Sequence, residues 1–235
     1  MHDTFLLLLA IAPALILVRY FYKLDLKKPE PKGLVTKIFF LGVIFTIPAS
    51  ILEMFVDELF KLLVQSKIVT AFLQAFIMAA LIEEIIKLFI VKKFAYNTVH
   101  FDEEVDGIVY AIVASLGFAC MENLIYVIDG GYTIAFARAF SAVPLHALSS
   151  GIMGYYIGKA KFAPDKKKEN ALILKGLWFA ILIHGSYNFL IFASPELGIV
   201  ITLGIVPLLI VTFIKLREKI KLAIAADSDA GRHSV

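Results

Sequence analysis

The segment AFLQAFIMAALIEEIIKLFIVKK, residues 71–93, is long and apolar enough to cross a lipid bilayer as a single α-helix. Three charged residues, Glu83, Glu84 and Lys87, nevertheless interrupt its apolar run. An ionised residue near the centre of a membrane helix costs about 2.5–3.5 kcal/mol. The segment therefore predicts a membrane-spanning helix whose charges pair with one another or serve a function.

The composition of the whole chain is that of a membrane protein. Of its 235 residues, 60% are hydrophobic and 18% are charged, whereas soluble domains are about 45–50% apolar and about 25% charged. A soluble domain of this length cannot bury so much apolar surface. The net charge of +3 gives no reason to expect nucleic-acid binding. The single cysteine, Cys120, excludes an internal disulfide bond.

Long apolar segments recur along the chain and predict an all-α, polytopic transmembrane bundle of about seven helices. They lack the period-two alternation of membrane β-strands. The first segment has no cleavage pattern of a signal peptide, so we expect it to be retained as a helix. The predicted spans are residues 4–22, 35–56, 69–91, 106–128, 133–158, 171–193 and 198–214.

Basic residues predict the orientation of the bundle. Most of the 23 lysines and arginines lie in the first, third and fifth connections and in the C-terminal segment. Lys61 and Lys67 lie on the opposite side, and Arg138 is expected near that interface. The positive-inside rule then places the N-terminus outside and the C-terminus in the cytoplasm. We expect a multi-pass protein of the cell membrane, with residues 224–235 as a disordered tail.

Polar residues of three predicted helices fall at one depth in the bilayer. Glu83 lies nine residues before Lys92, and His184 lies nine residues after Lys175, where both lysines mark the cytoplasmic boundary. A helix rises 1.5 Å per residue, so both side chains lie roughly 14 Å from that boundary, near the middle of a hydrocarbon core of about 30 Å. His146 falls in the same layer.

The remaining polar residues of the spans share helix faces with this layer. Asn188 lies one turn after His184, and Glu122 lies in the fourth predicted span. Small residues follow His146 at intervals of four, at Ser150 and Gly154, which allows close helix packing in membranes. We therefore expect the polar residues to face the interior of the bundle.

Several functions are compatible with such a buried cluster. It could be purely structural, with Glu83 and Lys87 neutralising each other at i,i+4. A proton-coupled transporter or channel also uses glutamates and histidines in its spans, but the sequence shows no inverted repeat and no pair of Gly/Pro-interrupted helices. A non-catalytic scaffold that binds a partner helix is a third alternative.

Four segments of the sequence resemble, in their order along the chain, the motifs of the PrsW family of intramembrane proteases. More distantly, they are similar to the CAAX-processing and bacteriocin-processing endopeptidases. The resemblance covers roughly residues 75–190. The four segments are EEIIK (83–87), FDEEVDGIVYAIVASLGFACMENLIY (101–126), HALSSGIMGYYIG (146–158) and HGSYN (184–188).

This resemblance implies that residues 1–223 form a transmembrane protease domain. Its substrate would be a membrane-bound protein with a single span, in the best-known bacterial case an anti-sigma factor. Matched by position, the implied catalytic residues are Glu83, Glu84, Glu122, His146, His184 and Asn188.

The chemistry of these residue types is compatible with peptide hydrolysis, which needs an activated water and a stabilised oxyanion. Two adjacent carboxylates resist simultaneous ionisation, which leaves one as the base and the other as an acid or orienting group. Glu83, His146 and His184 together offer the ligand types of a zinc site. In the alternative without a metal, His184 and Asn188 form an oxyanion hole. The sequence contains no HExxH motif to decide between them.

Overall fold

Seven long helices build the computed structural model, which describes residues 2–23 and 28–231. No strand occurs within these two ranges, so the predicted all-α architecture is confirmed. The long helices are α1 (His2–Tyr22), α2 (Lys32–Leu63), α3 (Lys67–Phe94), α4 (Glu104–Phe140), α5 (Ala142–Lys161), α6 (Lys166–Phe192) and α7 (Ile205–Asp229). A four-residue helix, Ser194–Leu197, and a 3-10 segment, Ile199–Gly204, connect α6 to α7.

Six segments in the described ranges are long and apolar enough to cross a membrane. They are Thr4–Tyr22, Lys32–Leu63, Lys67–Phe94, Glu104–Ile128, Lys166–Phe192 and Ile199–Asp229. Helix α5 is not among them, although its 20 residues are enough to span the hydrocarbon core. Nearly all of its residues are buried by neighbouring helices. Because α5 touches protein rather than lipid, it tolerates the glycines, serines and histidine that lower its hydropathy.

The predicted fifth span, 133–158, is not one continuous helix. Gly131 has φ +59° and ends the straight part of α4, and the chain then turns back as a helical arm, residues 132–140. The arm ends at Ser141 (φ −125°, ψ −63°), where α5 begins. Pro144 explains this break, because it has no N–H to donate to the preceding turn. The prediction of one continuous span was wrong because it took the apolar run through Pro144 as uniform.

Small residues bring α4 and α5 close together, as the spacing predicted. A Cβ atom added at Gly158 would lie 2.0 Å from the carbonyl oxygen of Glu104. One added at Gly107 would lie 2.5 Å from the carbonyl oxygen of Gly154. This backbone contact holds α5 in the centre of the bundle, where it carries His146.

The C-terminal segment differs from the expectation of disorder after Ala223. Helix α7 continues to Asp229, and Asp227 is fully buried. The carboxylate of Asp227 accepts hydrogen bonds from the backbone N–H of Glu104 (2.7 Å) and of Val105 (3.1 Å). A carboxylate at a helix N-terminus satisfies free N–H groups and interacts favourably with the helix dipole. Residues 224–229 are therefore helical, whereas residues 232–235 lie outside the described ranges.

Connections that the sequence analysis assigned to the cytoplasm meet at one end of the bundle. Lys28 forms an ion pair with Asp102. Lys161 donates a hydrogen bond to the carbonyl oxygen of Tyr96 at 2.6 Å. These contacts join the first, third and fifth connections, so the helices alternate in direction as the charge pattern required.

Candidate active site in the membrane interior

Helices α3, α5 and α6 bring the predicted glutamates and histidines together. Glu83, Glu84, His146 and His184 are each at most 3% exposed. The π-helical segment Gln74–Leu81 lies in α3 and ends just before the two glutamates. Such segments shift the register of a helix and are frequent at functional sites.

Lys87 lies at the centre of the cluster and is fully buried. Its Nζ donates hydrogen bonds to Glu83 Oε2 and to Glu84 Oε1, each at 2.9 Å. It also lies 3.0 Å from Nδ1 of His146. An ammonium group has only donors, so Nδ1 of His146 accepts this bond. Lys87 therefore forms ion pairs with both adjacent carboxylates, and the i,i+4 spacing predicted the pair with Glu83.

Glu84 holds His184 in place. Its Oε1 lies 2.9 Å from Nδ1 of His184, and its Oε2 accepts a hydrogen bond from Ser150 Oγ at 3.0 Å. The carboxylate therefore keeps the proton of His184 on Nδ1 and leaves the Nε2 lone pair free. That Nε2 lies 3.9 Å from Glu83 Oε1.

Glu122 holds His146 in the same way. Its Oε2 lies 2.9 Å from Nε2 of His146 and 3.0 Å from Nη2 of Arg138. Arg138 also donates from Nε to the side-chain oxygen of Asn123 at 2.7 Å. From the sequence, Arg138 was expected near the membrane interface. It lies on the arm beside Glu122, and its side chain is only 16% exposed.

Glu83, His146 and His184 have the geometry of a possible metal site. One ligand atom of each lies within 4.8 Å of the others, and all three residues are buried. Two imidazoles and one carboxylate are the three protein ligands typical of catalytic zinc sites. In such sites the second nitrogen of each histidine is usually bound by a carboxylate. Glu122 and Glu84 take this position at His146 and His184, so the residues present fit a metal ion that would replace Lys87 Nζ at Nδ1 of His146.

A cavity of about 470 Å³ lies against this cluster. Glu83, Glu122, His146, His184 and Asn188 all contribute to its wall, whereas Glu84 does not. Its remaining wall is largely apolar and includes residues of the arm and of the segment that leads into α7.

A second cavity of about 370 Å³ adjoins the first between α2 and α4. The two cavities share four residues in their walls: Glu53, Met78, Glu122 and Tyr126. Glu53 was not among the site residues predicted from the sequence. It was detectable, because it is a carboxylate within the predicted second span, where charged residues are rare and usually functional.

Comparison with known proteins identifies the family to which this arrangement belongs. The model of the PrsW family intramembrane metalloproteases matches residues 30–214. The chain is 39% identical to Protease PrsW of Bacillus subtilis (strain 168), over 78% of this chain and 81% of that protein. It is 38% identical to Protease PrsW of Geobacillus kaustophilus, over 80% of each chain. It is also 38% identical to that of Oceanobacillus iheyensis, over 88% of this chain and 93% of that protein.

No solved structure matches the chain. The family and the geometry nevertheless agree, because the buried carboxylates and imidazoles that a hydrolase needs lie at a cavity inside a multi-pass helical bundle. Nothing in the described residues or in the comparisons favours a transporter. With a family match that extends over most of its length, the chain belongs to the PrsW family of intramembrane metalloproteases and is a multi-pass protease of the cell membrane.

Proposed function

We propose that the chain cleaves a single-span membrane protein with a catalytic site built from Glu83, His146 and His184. The observation that carries this proposal is the pairing of each histidine with its own carboxylate around Glu83. In this pairing the remaining nitrogens, Nδ1 of His146 and Nε2 of His184, each lie 3.9 Å from a carboxylate oxygen of Glu83. A purely structural cluster would not need to present three such groups to an open space.

Glu83 and Glu84 have different roles in this proposal. Glu83 faces the cavity and removes a proton from the attacking water as the new C–O bond forms. It then delivers the proton to the nitrogen of the leaving amine as the C–N bond breaks. Glu84 lies behind the wall and orients His184. Asn188 contributes an amide group to the same wall, where its N–H stabilises the oxyanion.

The proposed metal is zinc, held by Glu83, His146 and His184. When bound, a zinc ion stabilises developing negative charge and lowers the pKa of a bound water to about 7. The Nζ of Lys87 lies 2.9 Å from Glu83 Oε2 and 3.0 Å from His146 Nδ1. Its ammonium group therefore already interacts with two of the three residues that would bind the metal. The alternative without a metal, in which His184 and Asn188 form the oxyanion hole, rests on this observation.

Cleavage of a reconstituted single-span substrate tests the catalytic roles. We expect Glu83→Gln and His184→Ala to lower kcat by about 10²-fold or more, since each removes a group that acts on the reacting atoms. Lys67→Ala is the control, because Lys67 is exposed and pairs with Glu196 away from the cavity. Wild-type rates in both site variants would contradict the proposed site.

Elemental analysis decides between the two chemistries. The proposal expects about one zinc per wild-type chain and none in His184→Ala. Cleavage by wild-type protein that contains no stoichiometric metal would contradict zinc and support the mechanism without a metal.

The substrate implied by the family resemblance is an anti-sigma factor. The Glu83→Gln variant should bind its substrate without cleaving it, and an anti-sigma factor should therefore be captured with it from the native membrane. If a different single-span protein is captured and the wild type cleaves it, the anti-sigma factor is not the substrate. The proposed protease activity would still stand.

A further inference from the structure

Glu53 is a carboxylate on the wall of the catalytic cavity for which the proposed hydrolysis has no role. It lies on α2, which contributes no other residue to that wall, and it is shared with the adjoining cavity. Glu83 and Glu122, which line the same wall, lie close enough to interact with it electrostatically. Glu53 therefore lines the cavity from α2, whereas the proposed catalytic residues lie on α3, α4, α5 and α6.

The carboxylate of Glu53 lacks the partners that the other carboxylates of the site have. Its Oε1 is buried and has no hydrogen-bond partner among the described residues. The cations of the cluster are already engaged, because Lys87 binds Glu83 and Glu84 and Arg138 binds Glu122. A buried acceptor without a partner is costly. A ligand that donates a hydrogen bond to this oxygen would remove that cost.

The substrate of an intramembrane protease supplies suitable donors. A peptide bond within a helix has its N–H and C=O engaged in the helix, so a transmembrane substrate must unwind locally before water can reach the bond. Lipid offers no hydrogen-bond acceptor to the released N–H groups. They need acceptors in the protein, and the other carboxylates of this cavity are occupied.

We propose that Glu53 is a substrate-binding residue whose carboxylate accepts hydrogen bonds from backbone N–H groups of the unwound segment beside the scissile bond. This proposal rests on the protease function and assigns to α2 one side of the substrate path. The position of Glu53 in both cavities supports it, because a segment that enters between α2 and α4 passes this carboxylate before it reaches Glu83.

Kinetics of three variants test the proposal with a single-span substrate that the wild type cleaves. Glu53→Leu removes the acceptor and should raise KM about tenfold, with kcat changed by less than about threefold. Glu53→Gln keeps a carbonyl oxygen as acceptor and should remain within about threefold of wild type. Glu58→Leu is the matched control, since Glu58 lies on the same helix and its side chain is 77% exposed.

Two results would overturn the proposal. One is wild-type KM for Glu53→Leu. The other is a loss of kcat that is equal in Glu53→Gln and Glu53→Leu, which would indicate proton transfer or binding of a basic side chain instead. Metal content should be unchanged in both variants, because Glu53 is not one of the three possible metal ligands.

Binding without cleavage separates this proposal from the catalytic one. In the Glu83→Gln background, the additional change Glu53→Leu should lower capture of the substrate about tenfold. Unchanged capture would refute the role of Glu53 even if every catalytic assignment is correct. Conversely, if Glu83→Gln cleaves normally, the catalytic assignment fails, and the effect of Glu53→Leu on KM still tests substrate binding.

A change in the substrate provides a test that does not depend on folding of the Glu53 variants. Replacement of single amides by esters removes one N–H at a time along the segment beside the scissile bond. At one position the ester should raise the KM of the wild type but should not raise the KM of Glu53→Leu any further. Additive effects at every position would contradict the proposed hydrogen bond.

Discussion

Arg138 links the arm to the proposed catalytic cluster through Glu122. We expect Arg138→Ala to lower kcat/KM by about 10²-fold, because Glu122 then loses the cation that fixes it and no longer orients His146. Arg138→Lys should restore only part of the activity, since lysine keeps the charge but cannot bind Glu122 and Asn123 together as the guanidinium does. Cleavage kinetics of both variants, with Lys67→Ala as control, measure this effect. Equal activity of all three would show that Arg138 does not position the site.

At the scale of the element, the turn at Gly131 determines where the arm returns into the bundle. Its φ of +59° is combined with a ψ of −155°, a conformation that is accessible almost only to glycine. A Cβ atom there would meet no neighbour within 4 Å, so any cost of Gly131→Ala is conformational. We expect a loss of about 1–3 kcal/mol in stability and a lower thermal midpoint.

Gly33→Ala is the matched control for this substitution. Gly33 lies near the start of α2, it does not have a positive φ, and it also has nothing within 4 Å of an added Cβ. Alanine is favoured over glycine in a helix by about 0.5–1 kcal/mol, so the control should be neutral or stabilising. If both substitutions change the thermal midpoint equally, the backbone at Gly131 is not the cause.

The cap that Asp227 provides to α4 is also a property of elements. Asp227→Ala leaves the N–H groups of Glu104 and Val105 without their carboxylate. We expect a loss of about 0.5–2 kcal/mol, the usual cost of removing a helix cap. Thermal unfolding of the purified variant measures it, and Asp229→Ala, at an exposed position two residues further along α7, serves as the comparison. A truncation after Ala223 that is as stable as the full chain would contradict the cap.

At the scale of the whole molecule, the predicted orientation is open to a direct test. Lys67 and Lys167 are exposed and lie in connections that the charge pattern assigns to opposite sides of the membrane. In intact cells, a membrane-impermeant thiol reagent should label Lys67→Cys and leave Lys167→Cys unlabelled. The native Cys120 is buried and should give little background. Labelling of Lys167→Cys alone would reverse the orientation.

Much of the fold and of the cluster followed from local features of the chain. The apolar runs predicted the helices because lipid selects apolar side chains over about 20 consecutive residues. Depth counting from Lys92 and Lys175 placed Glu83 and His184 in one layer, because the rise of a helix is constant. The structure brings these two side chains to within 3.9 Å. The break at Ser141 was missed because Pro144 lies within a long hydrophobic run, and hydropathy alone does not mark a proline as a helix break.

The amino-acid sequence alone was sufficient for the membrane class, the helical architecture and the family resemblance, since these depend on composition and on short motifs. Tertiary structure decided which carboxylate faces the cavity and which one lies behind it, because adjacent residues such as Glu83 and Glu84 are distinguished only by their neighbours. It also brought Arg138 to Glu122 and Glu53 to the cavity wall. Arg138 reaches Glu122 because α4 turns back at Gly131, and Glu53 reaches the cavity wall because α2 packs beside it, so both positions depend on tertiary packing.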